Sequence, residues 1–170
     1  DAYGHGAVSL SRVAIEEGVD LLAVATVDEG GELREAGIDA PILLLGHTTG
    51  EEADRIVQLG LQTMVGDEPY AAALDAAAAR RATVVDVHLK VDTGMGRIGC
   101  RPVDAVDLAR RVSEAAHLRL AGVATHLPVA DGDDRIPTEA QLSRFTAVVD
   151  AIGNAGIDAV CVHAANSAAL

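Results

Sequence analysis

The residues able to do chemistry gather in three short stretches. Lys90-Val-Asp-Thr-Gly-Met-Gly-Arg97 sets a lysine, a carboxylate, two glycines and an arginine close together. The glycines let the backbone turn sharply and approach a ligand, and the planar fork of Arg97 suits a carboxylate or a phosphate. A solvated arginine on a surface loop is the plainer reading of the same residues. His126 could serve as a general base, a metal ligand or a flat platform beside a ring; the bland alternative is a partly buried, hydrogen-bonded histidine. His163, Asn166 and Ser167 make up the third stretch. No HxH or HExxH accompanies these histidines, so no metal site is expected, and Asp131, Asp133 and Asp134 read as a solvated turn. No GxSxG, P-loop or GxGxxG opens a helix, so hydrolase, NTPase and dinucleotide readings lack their markers.

All three stretches follow short apolar runs. Residues 21–26, 41–45, 61–65, 84–91, 118–126 and 159–163 read as strands, several near-continuous in Val, Leu or Ile as in a parallel sheet buried on both faces. Helices fall between them. One runs from about 7 to 18. Thr49 with Glu52 fits a capping box, with Gly60 as the stop, and Pro102 opens a helix carrying Val103, Val106 and Val112. Thr138 with Gln141, after Pro137, fits another capping box, followed by an apolar face of Leu142, Phe145, Val148, Val149 and Ile152 before Gly153. One strand roughly every 27 residues predicts a single α/β domain of repeated βα units. Six strands fit either a complete doubly wound sheet or a (β/α)8 barrel lacking its first and last strands, and in both folds functional groups collect at the carboxyl ends of strands.

The 170 residues carry 13 Lys+Arg against 26 Asp+Glu, a net charge of −13, which speaks against nucleic acid or an anionic membrane as partner. No apolar run is long enough to span a bilayer. With three aromatic residues (Tyr3, Tyr70 and Phe145) the core must be aliphatic. Cys100 and Cys161 form no CxxC and read as small core residues in a reducing, cytoplasmic setting. The first residue is Asp1 and not Met, as expected of a piece of a longer chain.

Four segments, taken in order, resemble one family. Asp1-Ala-Tyr-Gly-His-Gly6 is similar to the pyridoxal-phosphate signature of alanine racemases. Glu32-Leu-Arg-Glu-Ala-Gly37 with Ala40-Pro-Ile-Leu-Leu-Leu-Gly46 resembles that family's second and third strand regions. Asp92-Thr-Gly-Met-Gly-Arg-Ile-Gly99 resembles its substrate-arginine loop, and Thr125-His126 with His163-Ala-Ala-Asn-Ser-Ala-Ala169 completes the set.

The resemblance implies a truncated (β/α)8 TIM-type barrel, about strands 2–7, with residues 1–170 forming part of the N-terminal pyridoxal-phosphate-binding domain. The C-terminal β-domain is expected to lie outside the chain. So are the cofactor lysine, two residues before Asp1, and the tyrosine that is the second base. The only lysine present is Lys90, on a different strand. By the same resemblance, Tyr3 and Ser167 bind the cofactor phosphate, His126 lies beside the pyridine ring, and Leu45 and Asn166 line the cofactor pocket. His163 stands behind an arginine that faces the pyridine nitrogen. Arg97 sets the substrate carboxylate and the cofactor's phenolic oxygen, and Lys90, carbamylated in some members, holds Arg97. The implied activity is interconversion of L- and D-alanine for peptidoglycan, in a cytoplasmic homodimer, with the fragment itself inactive. The alternatives are a racemase of serine or broader specificity, a non-catalytic pyridoxal-phosphate-binding barrel, and a phosphosugar-processing barrel.

Overall fold

The computed structural model of the chain describes residues 2–159, 161–166 and 168–169. Strands and helices alternate: α1 (Ala7–Glu16), β1 (Leu22–Val24), α2 (Val27–Glu35), β2 (Ile42–Leu44), α3 (Ala53–Gln58), β3 (Gln62–Val65), α4 (Glu68–Arg80), β4 (Val85–Lys90), α5 (Ala105–Glu114), β5 (Leu118–Ala124), α6 (Ile136–Asn154) and β6 (Cys161–His163). Every strand pairs in parallel with the next, and the sheet order is β1-β2-β3-β4-β5-β6. A doubly wound sheet reverses its strand order at a switch point; this one never does. The six strands form a curled half-barrel, the truncated barrel of the two architectures.

The convex face carries the core. Ile42, Leu44, Val65, Val87, Leu89 and Val123 meet Leu33, Ile56, Leu74, Leu108, Phe145 and Ile152 of the helices. The concave face differs from the expectation of strands apolar on both sides. β4 alternates strictly, Val-Asp-Val-His-Leu-Lys, so Asp86, His88 and Lys90 share the side opposite Val85, Val87 and Leu89. Leu43, Met64 and Ala124 form a small apolar patch, packed against Leu21.

Several helix ends differ from the sequence reading. α6 starts at Ile136, not Thr138: Pro137 occupies the first turn and Asp134 Oδ1 accepts the Ile136 amide at 2.9 Å. Thr138 is therefore inside the helix, and its buried hydroxyl has no partner among the described residues. The helix also passes through Gly153 and ends before Gly156, whose φ is +74°. Leu142 lies on the exposed side, and Gln141 is buried in its place. Pro102 opens a 3-10 turn, Pro102–Asp104, that leads into α5, and Val103 is exposed; Ala105, Leu108, Ala109 and Val112 are the buried residues of α5. Of the two cysteines, Cys100 is buried and Cys161 only half-buried.

β1 and β6 are the outermost strands, and neither holds a lysine or proline to discourage edge pairing. Residues 1–170 expressed alone are expected to self-associate, more at high salt, where the repulsion of a net −13 is screened. Light scattering at two ionic strengths checks this. A monodisperse monomer at both would refute it.

Candidate active site

The carboxyl ends of β4, β5 and β6 form a rim on which Lys90, Arg97, His126 and His163 converge. After Lys90 the chain leaves β4 in a loop pinned at both ends. The Asp92 amide donates to Cys100 O at 2.9 Å and the Cys100 amide donates to Lys90 O at 2.9 Å. Only glycine fits at position 99. Its φ is +125°, and a Cβ there would lie 2.8 Å from the Asp92 nitrogen and 2.9 Å from Lys90 O. Inside the loop, Asp92 Oδ1 accepts the Gly94 and Gly96 amides at 2.9 and 3.0 Å. Burial acts to raise the Asp92 carboxyl, but the amides of Gly96, Gly94, Met95 and Arg97 outweigh it and hold it below its ordinary value. The loop thus encloses a carboxylate and presents Arg97 outward. The exposed Arg97 guanidinium makes no hydrogen bond among the described residues.

A buried lock ties this loop to β5 and α6. Thr93 Oγ1 lies 2.7 Å from Thr125 Oγ1, and Gln141 Nε2 donates to Thr93 Oγ1 and to His126 O, both at 3.2 Å. Arg144 Nε donates to Thr93 O at 2.8 Å. Gln141 was read from the sequence as a capping partner. Its position beside Phe145 and Val148 on the buried face of α6 is the signal that would have identified it as a core polar residue.

Lys90 is buried beneath the rim, with Nζ donating to Thr125 O at 2.8 Å. Burial, and then the Arg97 charge, bring its amine down to about 8, with Asp92 acting in the opposite direction. His126, half-buried just past β5, is lowered by burial and by the cations Lys90 and Arg97. His163 is lowered by burial and by Lys90. Both imidazoles are therefore neutral near pH 7, beside two cationic side chains. Asn166 is engaged on both sides: Nδ2 donates to Leu127 O at 2.8 Å and Oδ1 accepts the Ala169 amide at 3.1 Å.

Three predicted residues are not part of this rim as described. Leu45, just past β2, lines a cleft of about 490 Å³ between α1 and β1 with Ala2, Leu10, Val24 and Ala25. Ser167 and the side chain of Tyr3 lie outside the described residues. One buried residue escaped the sequence reading altogether. His88 sits in mid-β4, with Nδ1 3.0 Å from His163 Nε2. The strict alternation of β4 could have placed it with Lys90. Among the described residues, no group of three or more His, Cys, Asp or Glu is arranged to hold a metal, and no helix is long and apolar enough to cross a membrane.

The sequence model of the family described as alanine racemase, N-terminal domain, matches residues 1–170. The chain belongs to the alanine racemase N-terminal domain family. Alanine racemase of Halothermothrix orenii is 40% identical over 170 residues, covering all of this chain and 45% of that protein. The enzyme of Treponema denticola is 44% identical over 170 residues, with 98% of this chain and 45% of that protein covered. Among solved structures, alanine racemase of Clostridium difficile 630 superposes with a TM-score of 0.96 at 35% identity, over 99% of this chain and 44% of that one. A further structure of the Clostridium difficile racemase is a complex with cycloserine. The chain thus spans less than half the length of the curated alanine racemases it matches.

Proposed function

We propose that this chain is part of the pyridoxal-phosphate-binding barrel domain of an alanine racemase, interconverting L- and D-alanine. The observation that carries the reading is the whole-chain match to the N-terminal domain of that family, with Arg97 and His126 at one rim. The donor set suits the cofactor: the Arg97 guanidinium beside two neutral imidazoles fits an anionic aromatic ring. Tyr3 and Ser167 would hold its phosphate, His126 would lie against its ring, and Leu45 and Asn166 would complete the pocket wall.

When bound, pyridoxal phosphate supplies the electron withdrawal that makes the amino-acid Cα proton removable. The described residues bind and orient. Arg97, outward and without a hydrogen-bonding partner among the described residues, receives the substrate carboxylate as a charge-assisted pair. The Asp92 loop fixes its direction, so little reorganisation is needed on binding. His126 stays neutral and presents a flat face with no competing charge. Lys90, its amine brought down to about 8, has a neutral fraction that can add carbon dioxide and lose a proton, giving an anionic carbamate to hold Arg97. The lysine and tyrosine that remove and return the proton are assigned, by family resemblance, to the rest of the full-length protein. The same reading implies D-alanine for peptidoglycan, a homodimer and a cytoplasmic location.

The test is production of D-alanine from L-alanine by the full-length protein with pyridoxal phosphate, with L-serine as competitor. Conversion of alanine ahead of serine is expected. No D-alanine, with or without cofactor, would overturn the reading.

A further inference from the structure

Below the rim, a line of polar side chains crosses the concave face to His163, and the racemase reading gives no part to Asp86, Gln62 or His88. It begins at the surface. Arg119 of β5 pairs with Asp86 of β4, with Nη2 2.6 Å from Oδ2. Gln62 Nε2 of β3 donates to the same Oδ2 at 3.5 Å, and Gln62 Oε1 lies 3.0 Å from His88 Nε2. His88 Nδ1 then lies 3.0 Å from His163 Nε2, the rings meeting edge to face at 74°. Gly122 of β5 makes the crossing possible: a Cβ there would sit 2.4 Å from His88 Nδ1.

The donors and acceptors along this line allow one polarity. A carboxylate only accepts, so the amide NH2 of Gln62 faces Asp86 and its oxygen faces His88. His88 must therefore carry its proton on Nε2, and as a neutral ring it accepts at Nδ1. The proton between the rings then belongs to His163 Nε2, which leaves His163 Nδ1 as a lone pair. We propose that Asp86, Gln62 and His88 form a directional hydrogen-bond relay that fixes His163 as an acceptor at the end of β6, making Gln62 and His88 positioning residues for the site. The inference rests on the racemase reading of the rim, in which that lone pair faces an arginine N–H.

The groups around the relay are consistent with neutral rings. Asp86 lies on the same strand as His88, Arg119 offsets the Asp86 charge from β5, and Gln62 and Gly122 bring no charge. His163 faces His88 from β6. Lys90, one strand repeat further along β4, opposes a proton on His163. Burial, and then His163, bring His88 to about 4, with Asp86 acting in the opposite direction.

The test uses the full-length protein with 15N-labelled histidine, with and without pyridoxal phosphate, read by imidazole 15N–1H correlation from pH 7.5 to 5.5. Both His88 and His163 are expected as neutral Nε2–H tautomers at pH 7.5, and His88 is expected to stay neutral to pH 5.5. Gln62→Leu and His88→Phe should each mix the His163 tautomers, lower kcat on the order of ten-fold with little change in KM, and move the acid limb of the pH profile. His88→Asn, which keeps an oxygen toward His163, should restore most of the loss. A wild-type His163 in the Nδ1–H form would overturn the relay. So would a His163 tautomer and pH profile unaltered in both Gln62→Leu and His88→Phe; if His88→Phe fails to fold, Gln62→Leu decides. The tautomers are read without turnover, so expected tautomers in a protein that makes no D-alanine would uphold the relay and refute only the racemase reading.

Discussion

Replacing Arg97 by alanine in the full-length protein is expected to lower kcat/KM for alanine about 10- to 150-fold, the loss of a charge-assisted carboxylate contact of about 1.5–3 kcal/mol. The fold should survive. Arg97 is exposed, its guanidinium makes no hydrogen bond among the described residues, and the Asp92 loop is held by backbone amides. The change of stability should therefore stay within about 0.5 kcal/mol, as for other exposed sites. Arg97→Lys keeps the charge but loses the two-pronged geometry, so only part of the activity returns. Because Arg97 helps to lower both Lys90 and His126, its removal should also let both groups hold protons to higher pH. An unchanged kcat/KM with a folded variant would remove Arg97 from the proposed site.

The second large effect is a pH-dependent stability carried by Lys90. Its amine falls from 10.5 to about 8 on folding, chiefly through burial. Between those values the unfolded chain holds a proton that the folded one does not, so stability contributed by this group rises with pH across the window. The whole rise is about 3 kcal/mol. Cys100 acts in the opposite sense, because burial lifts its thiol from 9.0 to about 11, and the raised Tyr70 hydroxyl does the same at higher pH. The clean quantity is therefore the difference from Lys90→Met, in which those opposing groups cancel. In carbon-dioxide-free buffer, denaturant unfolding should show wild-type stability gaining about 3 kcal/mol on Lys90→Met between pH 8 and 10.5. A constant difference would mean that the lysine is solvated in the folded state.

The strands were legible in the sequence because most lie in apolar-rich runs closed by polar residues, and the observed strands fall inside the expected ranges, although β4 alternates. The rim followed from them, since polar side chains at strand ends stand out against Val, Leu and Ile. α2 was harder. It contains Gly30 and Gly31, both buried, and its start rests on a capping box in which Glu29 receives the Ala25 and Thr26 amides. α4 is just over half alanine, which blurs the helical period, although Asp67 caps it through the Tyr70 amide. At α6 two capping arrangements competed, and the proline with Asp134 prevailed over Thr138. Within the site, Arg97, Lys90, His126 and His163 were readable from position. For His88 and Gln141, spacing could have given only the buried face, because their hydrogen-bond partners lie on neighbouring elements that local spacing does not reveal. The same limit applies to the choice between barrel and doubly wound sheet, which depends on strand order.

Lys90 is the sole lysine of the chain, and it is buried under the Arg97 loop. Every other basic side chain is an arginine or a histidine. An aldehyde condenses with a primary amine and leaves guanidinium groups alone. The exposed side chains of residues 1–170 therefore carry no primary amine for an aldehyde to condense with, and their positive charge is dispersed in surface ion pairs such as Arg80–Asp54 and Arg111–Glu68 without offering decoy amines to a reactive carbonyl.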